Sequence, residues 1–237
     1  MYTSKKQVSF SQIDKNGCIS VANTVNVLQD TLMEYNSSLG TSPLEMLEYD
    51  RAWMVSSWHV VFKRRPKFDE LFGVDSWVYR INSLFASWNF EMYTEDSANK
   101  KEVLAYADAK WFLAEPSTGK PARVTEKEKG IYEIESAYDM DYSSRKILYP
   151  ENMQLAYTVP VSPNFLDTNH HVNNGVYIRL AANLIPENFV VNELRAQYQA
   201  AAHLGDTFYI RTKDENDIFY VALTDADENP YFVCEFK

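Results

Sequence analysis

A repeated α+β architecture, each copy an antiparallel sheet around one long helix, is the fold class this 237-residue sequence predicts. Three observations carry the expectation. Each half holds one strong helical pattern. Each helix is followed by segments with β-type alternation. A short Asp-x-Asn string precedes both helices: Asp14-Lys15-Asn16 and Asp167-Thr168-Asn169, with Asp167 following Asp14 by 153 residues. One helix packed on a sheet, occurring twice, is a two-layer α+β plan.

The elements follow in chain order. Val27, Leu28, Thr31, Leu32, Tyr35 and Leu39 recur at three- and four-residue steps, which predicts a helix capped by Asn23 or Thr24 and closed by Gly40. Val55–Phe62 is rich in β-formers, and Asp75–Phe85 alternates over part of its length. Val103–Leu113 alternates throughout. Ala105, Ala107, Ala109, Trp111 and Leu113 share one face, and Tyr106, Asp108, Lys110 and Phe112 share the other. Charges and the breakers Pro116, Gly119 and Pro121 then predict a linker. A short strand at LAYTVPV follows, then a polar loop. A helix over 175–185 carries Val176, Tyr177, Leu180, Ala181 and Leu184 on one face and stops at Pro186. Strands are expected over 190–202, 207–213, 218–224 and 231–236. The domain reading is 1–124, a linker at 125–154, and 155–237.

Composition excludes several classes. With 23 Lys+Arg against 33 Asp+Glu the net charge is −10, so a general nucleic-acid binder would need a local basic patch. Lys63, Arg64, Arg65 and Lys67 form the strongest basic run. The two cysteines, Cys18 and Cys234, lie at opposite ends with no CxxC, which points to a reducing, cytoplasmic setting. The first 17 residues lack the apolar region of a signal peptide, and no apolar run is long enough for a membrane span. His59, His170, His171 and His203 form no metal-ligand spacing, so a protein-built zinc site is not expected.

The densest polar cluster is Asp167-Thr168-Asn169-His170-His171-Val172-Asn173-Asn174, before a helix N-terminus where backbone N–H groups and the dipole favour negative charge. In an extended loop, the two-residue spacing of Asp167, Asn169 and His171 puts a carboxylate, an amide and an imidazole on one side. Capping alone selects the same Asp/Asn-rich composition.

LDTNHHVNNGVYI (166–178) resembles the D-x-N-x-H-V-N-N-x-x-Y signature of the acyl-ACP thioesterase family. The first half agrees: NGCISVANTVNVLQD resembles that family's first helix region. RAWMVSSWHVVFKRRPKFDE and DSWVYRINSLFASWNFE resemble its Trp-rich strands and Arg-Pro turn. AYADAKWFLAEPSTGKPARV resembles its strand and turn ending in Pro. The resemblance implies two tandem hot-dog modules, the first on the acyl-chain side and the second carrying the catalytic loop and helix. It implies hydrolysis of a fatty acyl thioester on acyl carrier protein, with no metal or organic cofactor. A tandem chain pairs its two modules internally, which leaves a monomer or a homodimer open. Carried over by position, Asp167, Asn169 and His171 are catalytic, with backbone N–H groups of Asn174 and Gly175 as oxyanion donors. Trp53, Trp58 and Trp77 become candidate walls for the acyl chain, against plain core packing. The basic run becomes a docking site for the acidic carrier, against a solvated turn.

One position departs from the family. Aligned on Tyr198 and Gly205-Asp206, the family's Glu falls on Ala201, and the following Cys of plant members falls on Ala202. Asp167 or His171 is then left as the base, or the chain binds acyl-ACP with weak turnover. An acyl-CoA thioesterase is a further alternative. His203 lies two residues on, on the face an alternating strand would share with Ala201, and is a candidate substitute for the missing carboxylate; beside the turn Gly205-Asp206 it reads rather as a surface histidine. Cys18, at the place His171 holds in the echo, has no base nearby in sequence.

Overall fold

The computed structural model describes residues 1–94, 101–142, 144 and 146–237. The chain divides into two compact units, Met1–Ser56 with Val60–Tyr142, and Ser57–His59 with the C-terminal part of the chain.

The first unit runs β1 (Tyr2–Gln7), α1 (Val21–Ser38), α2 (Pro43–Leu47), β2 (Ala52–Phe62), β3 (Leu71–Ile81), β4 (Phe85–Thr94), β5 (Val103–Glu115), β6 (Lys120–Ala122) and α3 (Glu126–Lys129). The strand order is β1-β3-β4-β5-β2, with β6 on β5, and the β1–β3, β3–β4, β4–β5 and β5–β6 pairs are antiparallel. Helix α1 starts earlier than its periodicity suggests. Its cap is Ser20, whose Oγ accepts from the Asn23 N–H at 3.2 Å. Asn23, the cap expected from the sequence, instead donates its amide to the Gln12 carbonyl at 3.0 Å. Val25, Leu28, Leu32 and Tyr35 form the buried stripe. Each such side chain contributes roughly 1.5–3 kcal/mol through removal from water.

The alternation read in β5 is realised: Ala105, Ala107, Ala109, Trp111 and Leu113 are all buried. Adjacent β4 residues point to opposite faces. Trp88 meets Trp53, Trp111 and Tyr132 edge-on, and Tyr132 meets Tyr35 of α1. Asn89 faces the other way. Its Oδ1 accepts from the Tyr138 N–H and the Tyr142 hydroxyl, while its amide donates to the Ala107 carbonyl. The segment expected to be a linker, 125–154, therefore begins as part of this unit. Thr125 and Glu128 close a capping box on α3, Tyr132 is buried, and Tyr138 stacks on Tyr106.

The second unit contains β7 (Gln154–Pro160), α4 (Asn174–Ala182), β8 (Glu193–Tyr198), β9 (Thr207–Glu215), β10 (Ile218–Thr224) and β11 (Pro230–Phe236). The order is β8-β11-β10-β9-β7, with every neighbouring pair antiparallel. Helix α4 has 9 residues against 18 in α1. It packs Val176, Tyr177, Leu180 and Ala181 inward, near β10 and β11.

The 153-residue echo extends from sequence into hydrogen bonding. A 3-10 turn at Phe10–Gln12 matches one at Pro163–Phe165. An isolated bridge Ile13–Ile19 matches Leu166–Val172. Asp14 N–H donates to Cys18 O, as Asp167 N–H does to His171 O, both at 2.8 Å. Gly17 and His170 both adopt left-handed backbone, with φ of 73° and 59°. Ser20 and Asn173 cap the two helices. Ile19 N–H reaches Pro66 O, as Val172 N–H reaches Ala202 O, both at 2.9 Å. A match this regular, down to individual backbone bonds, identifies the two units as copies of one plan.

Candidate active site

The loop before α4 is shaped by Asp167. Its Oδ1 accepts from the backbone N–H of Asn169 at 2.8 Å and of His171 at 3.3 Å. That carboxylate therefore fixes the turn carrying the other two residues, in the manner of an Asx turn. The left-handed His170 completes the turn and leaves its own side chain exposed.

The turn presents two buried polar atoms with no hydrogen-bond partner, Asn169 Oδ1 and His171 Nδ1. Buried polar groups are nearly always satisfied, so two such atoms on one turn are open to a water or a ligand. Burial is the first cause holding His171 below its ordinary value of 6.5. Repulsion from His203 and His170 acts in the same direction, and Asp167 opposes it. His171 is therefore a neutral imidazole near pH 7, able to accept a proton.

His203 stands against His171. The ring centroids are 4.7 Å apart and the planes nearly perpendicular at 83°. The bond from Val172 N–H to Ala202 O brings the two chains together one residue away from each imidazole. The buried Tyr177 hydroxyl accepts from the Ala202 N–H at 3.0 Å, and the Tyr198 hydroxyl donates to the Asn174 carbonyl at 3.0 Å. Burial pushes both phenols well above the ordinary tyrosine range, so they act as neutral hydrogen-bonding groups. Together they tie the 199–206 loop and the start of α4 into one body. The sequence reading placed Tyr177 on the apolar face of the helix and Tyr198 on the following strand without a role in the site, and preferred a surface position for His203. The signal available for His203 was its two-residue spacing from Ala201; no sequence pattern pointed to the hydrogen bonds of the two tyrosines.

Three sets of expected site residues stand differently in the structure. First, the Gly175 N–H is occupied: it donates to Asn173 Oδ1 at 2.9 Å, because Asn173 caps the helix. Asn174 engages Tyr198 through its carbonyl. Second, the three tryptophans do not line one cavity. Trp53 packs on Trp88, on one face of the sheet. Trp77 pairs in register with Asn89, contacts Tyr138 and donates to the Ser136 carbonyl at 2.9 Å, on the opposite face. Trp58 is buried within β2. Third, half of the basic run is internally neutralised. Arg64 forks onto Glu70 and also reaches Glu102, which raises its already high pKa. Arg65 binds Asp14 at 2.5 Å and the Ile19 carbonyl at 2.8 Å. Lys63 lies over the Tyr106 ring at 5.6 Å, and Lys67 offers its backbone N–H to Glu70.

The copy of this site in the first unit has different chemistry. Cys18 stands where His171 does, and Arg65 stands where Ala201 does, closing on Asp14. Among the described residues, no group of three or more His, Cys, Asp or Glu is placed to hold a metal ion. No helix among them is long and apolar enough to cross a membrane.

Comparison with known proteins gives a consistent set of relatives. The family model for the acyl-ACP thioesterase N-terminal domain matches residues 1–133. A chloroplastic acyl-[acyl-carrier-protein] hydrolase of Cuphea viscosissima is 25% identical over 182 residues, which is 70% of this chain and 43% of that protein. A chloroplastic palmitoyl-acyl carrier protein thioesterase of Arabidopsis thaliana aligns over the same shares at 25% identity. The chain thus spans less than half the length of these curated relatives. Among solved structures, an acyl-ACP thioesterase from Bacteroides thetaiotaomicron superposes with a TM-score of 0.87 at 21% identity, covering 99% of this chain and 96% of that one. The 12:0-ACP thioesterase of Umbellularia californica gives 0.86 at 16% identity, covering 100% and 96%. These likenesses establish the hot-dog type of fold.

Proposed function

The chain belongs to the acyl-ACP thioesterase family, and from that premise we propose that it hydrolyses the thioester joining a fatty acyl chain to acyl carrier protein. The observation that carries the reading is the pair of unpartnered buried atoms, Asn169 Oδ1 and His171 Nδ1, on one turn at the start of α4. In this proposal Asn169 Oδ1 accepts a hydrogen bond from the attacking water. His171 takes a proton from that water as its oxygen bonds the thioester carbon. The carbon–sulfur bond then breaks and His171 returns the proton to the departing thiolate. The products are a free fatty acid and the carrier thiol. Asp167 positions both groups through their backbone N–H bonds. Oxyanion stabilisation falls to the N-terminal end of α4, where the helix dipole favours developing negative charge.

The supporting roles narrow from those read in the sequence. Trp53 packs against Met46, Leu113, Ala122 and Val124 and on Trp88, which favours core packing over a wall for the acyl chain. Lys63 and Lys67 keep the carrier-docking role, because Arg64 and Arg65 are committed to carboxylates of the same unit. Both cysteines are free thiols, which supports a reducing compartment such as the cytoplasm.

The test is release of fatty acid by the purified chain across acyl-ACP substrates of graded chain length, with matched acyl-CoA substrates alongside. Hydrolysis is expected, and His171→Ala is expected to lose at least about 100-fold, the usual cost of deleting a general base. Turnover confined to acyl-CoA would change the carrier. A second reading rests on Ala201 at the position where the resemblance offers a glutamate. Tight acyl-ACP binding without release at any chain length would make the chain a sequestering protein.

A further inference from the structure

We propose that His203 belongs to the catalytic centre as a positioning residue that acts through His171, in the space beside the position where the family's carboxylate would stand. This rests on the hydrolase reading above and goes beyond it, since neither the signature nor the fold assigns His203 a role.

The argument starts from placement. Val172 N–H bonds to Ala202 O, and Tyr177 holds the Ala202 N–H from the other side. Ala202 is fully buried and cannot drift. The flanking residues, His171 and His203, are thereby brought ring to ring at 4.7 Å. An imidazole beside an imidazole has the opposite electrostatic effect to a carboxylate beside an imidazole. A carboxylate favours the charged form of its histidine, whereas a second histidine disfavours it. The groups acting on His171 are Asp167 and His170 from its own turn, and His203 from the facing loop. Of these, His203 is the one in direct ring contact. The Asp206 carboxylate accepts the His203 backbone N–H at 2.8 Å and is not among the charges acting on His171. A charge on the exposed His203 ring thus opposes a second charge on the half-buried His171, and the base stays available for the water proton as the solution becomes acidic. Where the resemblance places a glutamate this chain has Ala201, and the side chain that meets His171 is the imidazole of His203: a partner that would favour the charged base is absent and one that disfavours it is present.

The test uses the full chain and three proteins: wild type, His203→Gln and His203→Glu. The His171 ring is followed by NMR titration, which needs no turnover, and kcat/KM is measured against pH. The expected order of His171 midpoints is wild type lowest, Gln higher, Glu highest. Each step is about half a pH unit or more, the size expected for unit charges near 5 Å apart in a largely aqueous setting. The acid limb of kcat/KM moves up in the same order, so the loss relative to wild type is several-fold greater near pH 6 than near pH 8. If the His171 midpoint is the same in all three proteins, or if the variants lose rate equally at every pH, His203 only packs and the proposal is overturned. If wild type releases no fatty acid, the hydrolase reading falls, while the NMR order still decides whether His203 governs His171.

Discussion

Burial and the neighbouring His203 ring hold His171 below the ordinary imidazole value of 6.5, and this sets the sign of two measurements. A base depressed in the folded state binds its proton more readily when unfolded. Its contribution to stability is therefore intact above pH 6.5 and is lost as pH falls through the folded value. The same depression places the acid limb of kcat/KM below 6.5. An acid limb at or above 6.5 in the pH profile would show that His171 is not the base. Arg65 gives the second prediction at this scale. It is not a free cation but the partner of Asp14 and the Ile19 carbonyl, so Arg65→Ala should lower stability by about 1.5–3 kcal/mol, as for hydrogen bonds to charged groups. KM for acyl-ACP should stay within about twofold, once folded protein is selected. A large KM rise with unchanged thermal stability would restore Arg65 to carrier docking. At this scale the motif made Asp167, Asn169 and His171 legible, because chemistry-bearing residues at fixed spacing survive as a string. The Arg65–Asp14 pair spans 51 residues, and no local pattern encodes it.

Periodicity made the two helices and most strands legible, since apolar burial imposes a regular pattern on one face. Caps were less so. Ser20 and Asn23 are both capping residue types, and only the 3-10 turn preceding α1 decides that Asn23 serves the Gln12 carbonyl instead. Strand β1 was invisible to hydrophobic alternation because its half-covered face carries Ser4 and Lys6, both bonded to Glu34 of α1. The three tryptophans misled for a related reason. Whether Trp53 and Trp77 share a face depends on register across strands, which composition does not fix. Packing between α4 and the 199–206 loop supplies a prediction at this scale. Tyr177→Phe keeps the ring among Tyr198, Phe208 and Phe232 but removes the acceptor for the buried Ala202 N–H. An unsatisfied buried N–H costs about 1–3 kcal/mol, so the denaturant midpoint should fall. Since Ala202 also holds the loop carrying His203, kcat should fall more than KM rises. An unchanged midpoint would mean that the Ala202 N–H finds another partner and that the tyrosine hydroxyl is dispensable.

The two units are copies of one plan that have kept the same turn and changed what it carries. In each, an aspartate closes a turn, a left-handed residue completes it, and a capped helix follows. The second copy places an imidazole after the left-handed residue; the first places Cys18 there and locks the aspartate with Arg65. Among the described residues, buried polar atoms without a partner therefore occur on the turn of one copy and not of the other. The Asp-x-Asn string made this duplication legible, but its full extent appears only in the backbone bonds, because few side chains are shared between the copies. The duplication also predicts opposite responses to substitutions at matched positions. Gly17 sits at φ 73° with nothing within 4 Å of where a Cβ would be, so Gly17→Ala meets no clash and tests the backbone alone. Left-handed backbone costs an L-residue roughly 1–2 kcal/mol, and a chain of this size shifts its Tm by about 2–4 °C per kcal/mol. Thermal unfolding of Gly17→Ala should therefore show a Tm lower by several degrees. His170 already bears that strain at φ 59°, so His170→Gly should relieve part of it and raise Tm. The gain should be smaller than the Gly17→Ala loss, since histidine tolerates this region better than most residues and glycine adds freedom to the unfolded chain. If both substitutions lowered Tm equally, the two turns would not be equivalent in energy, and the His170 side chain would have to stabilise the loop by contacts of its own.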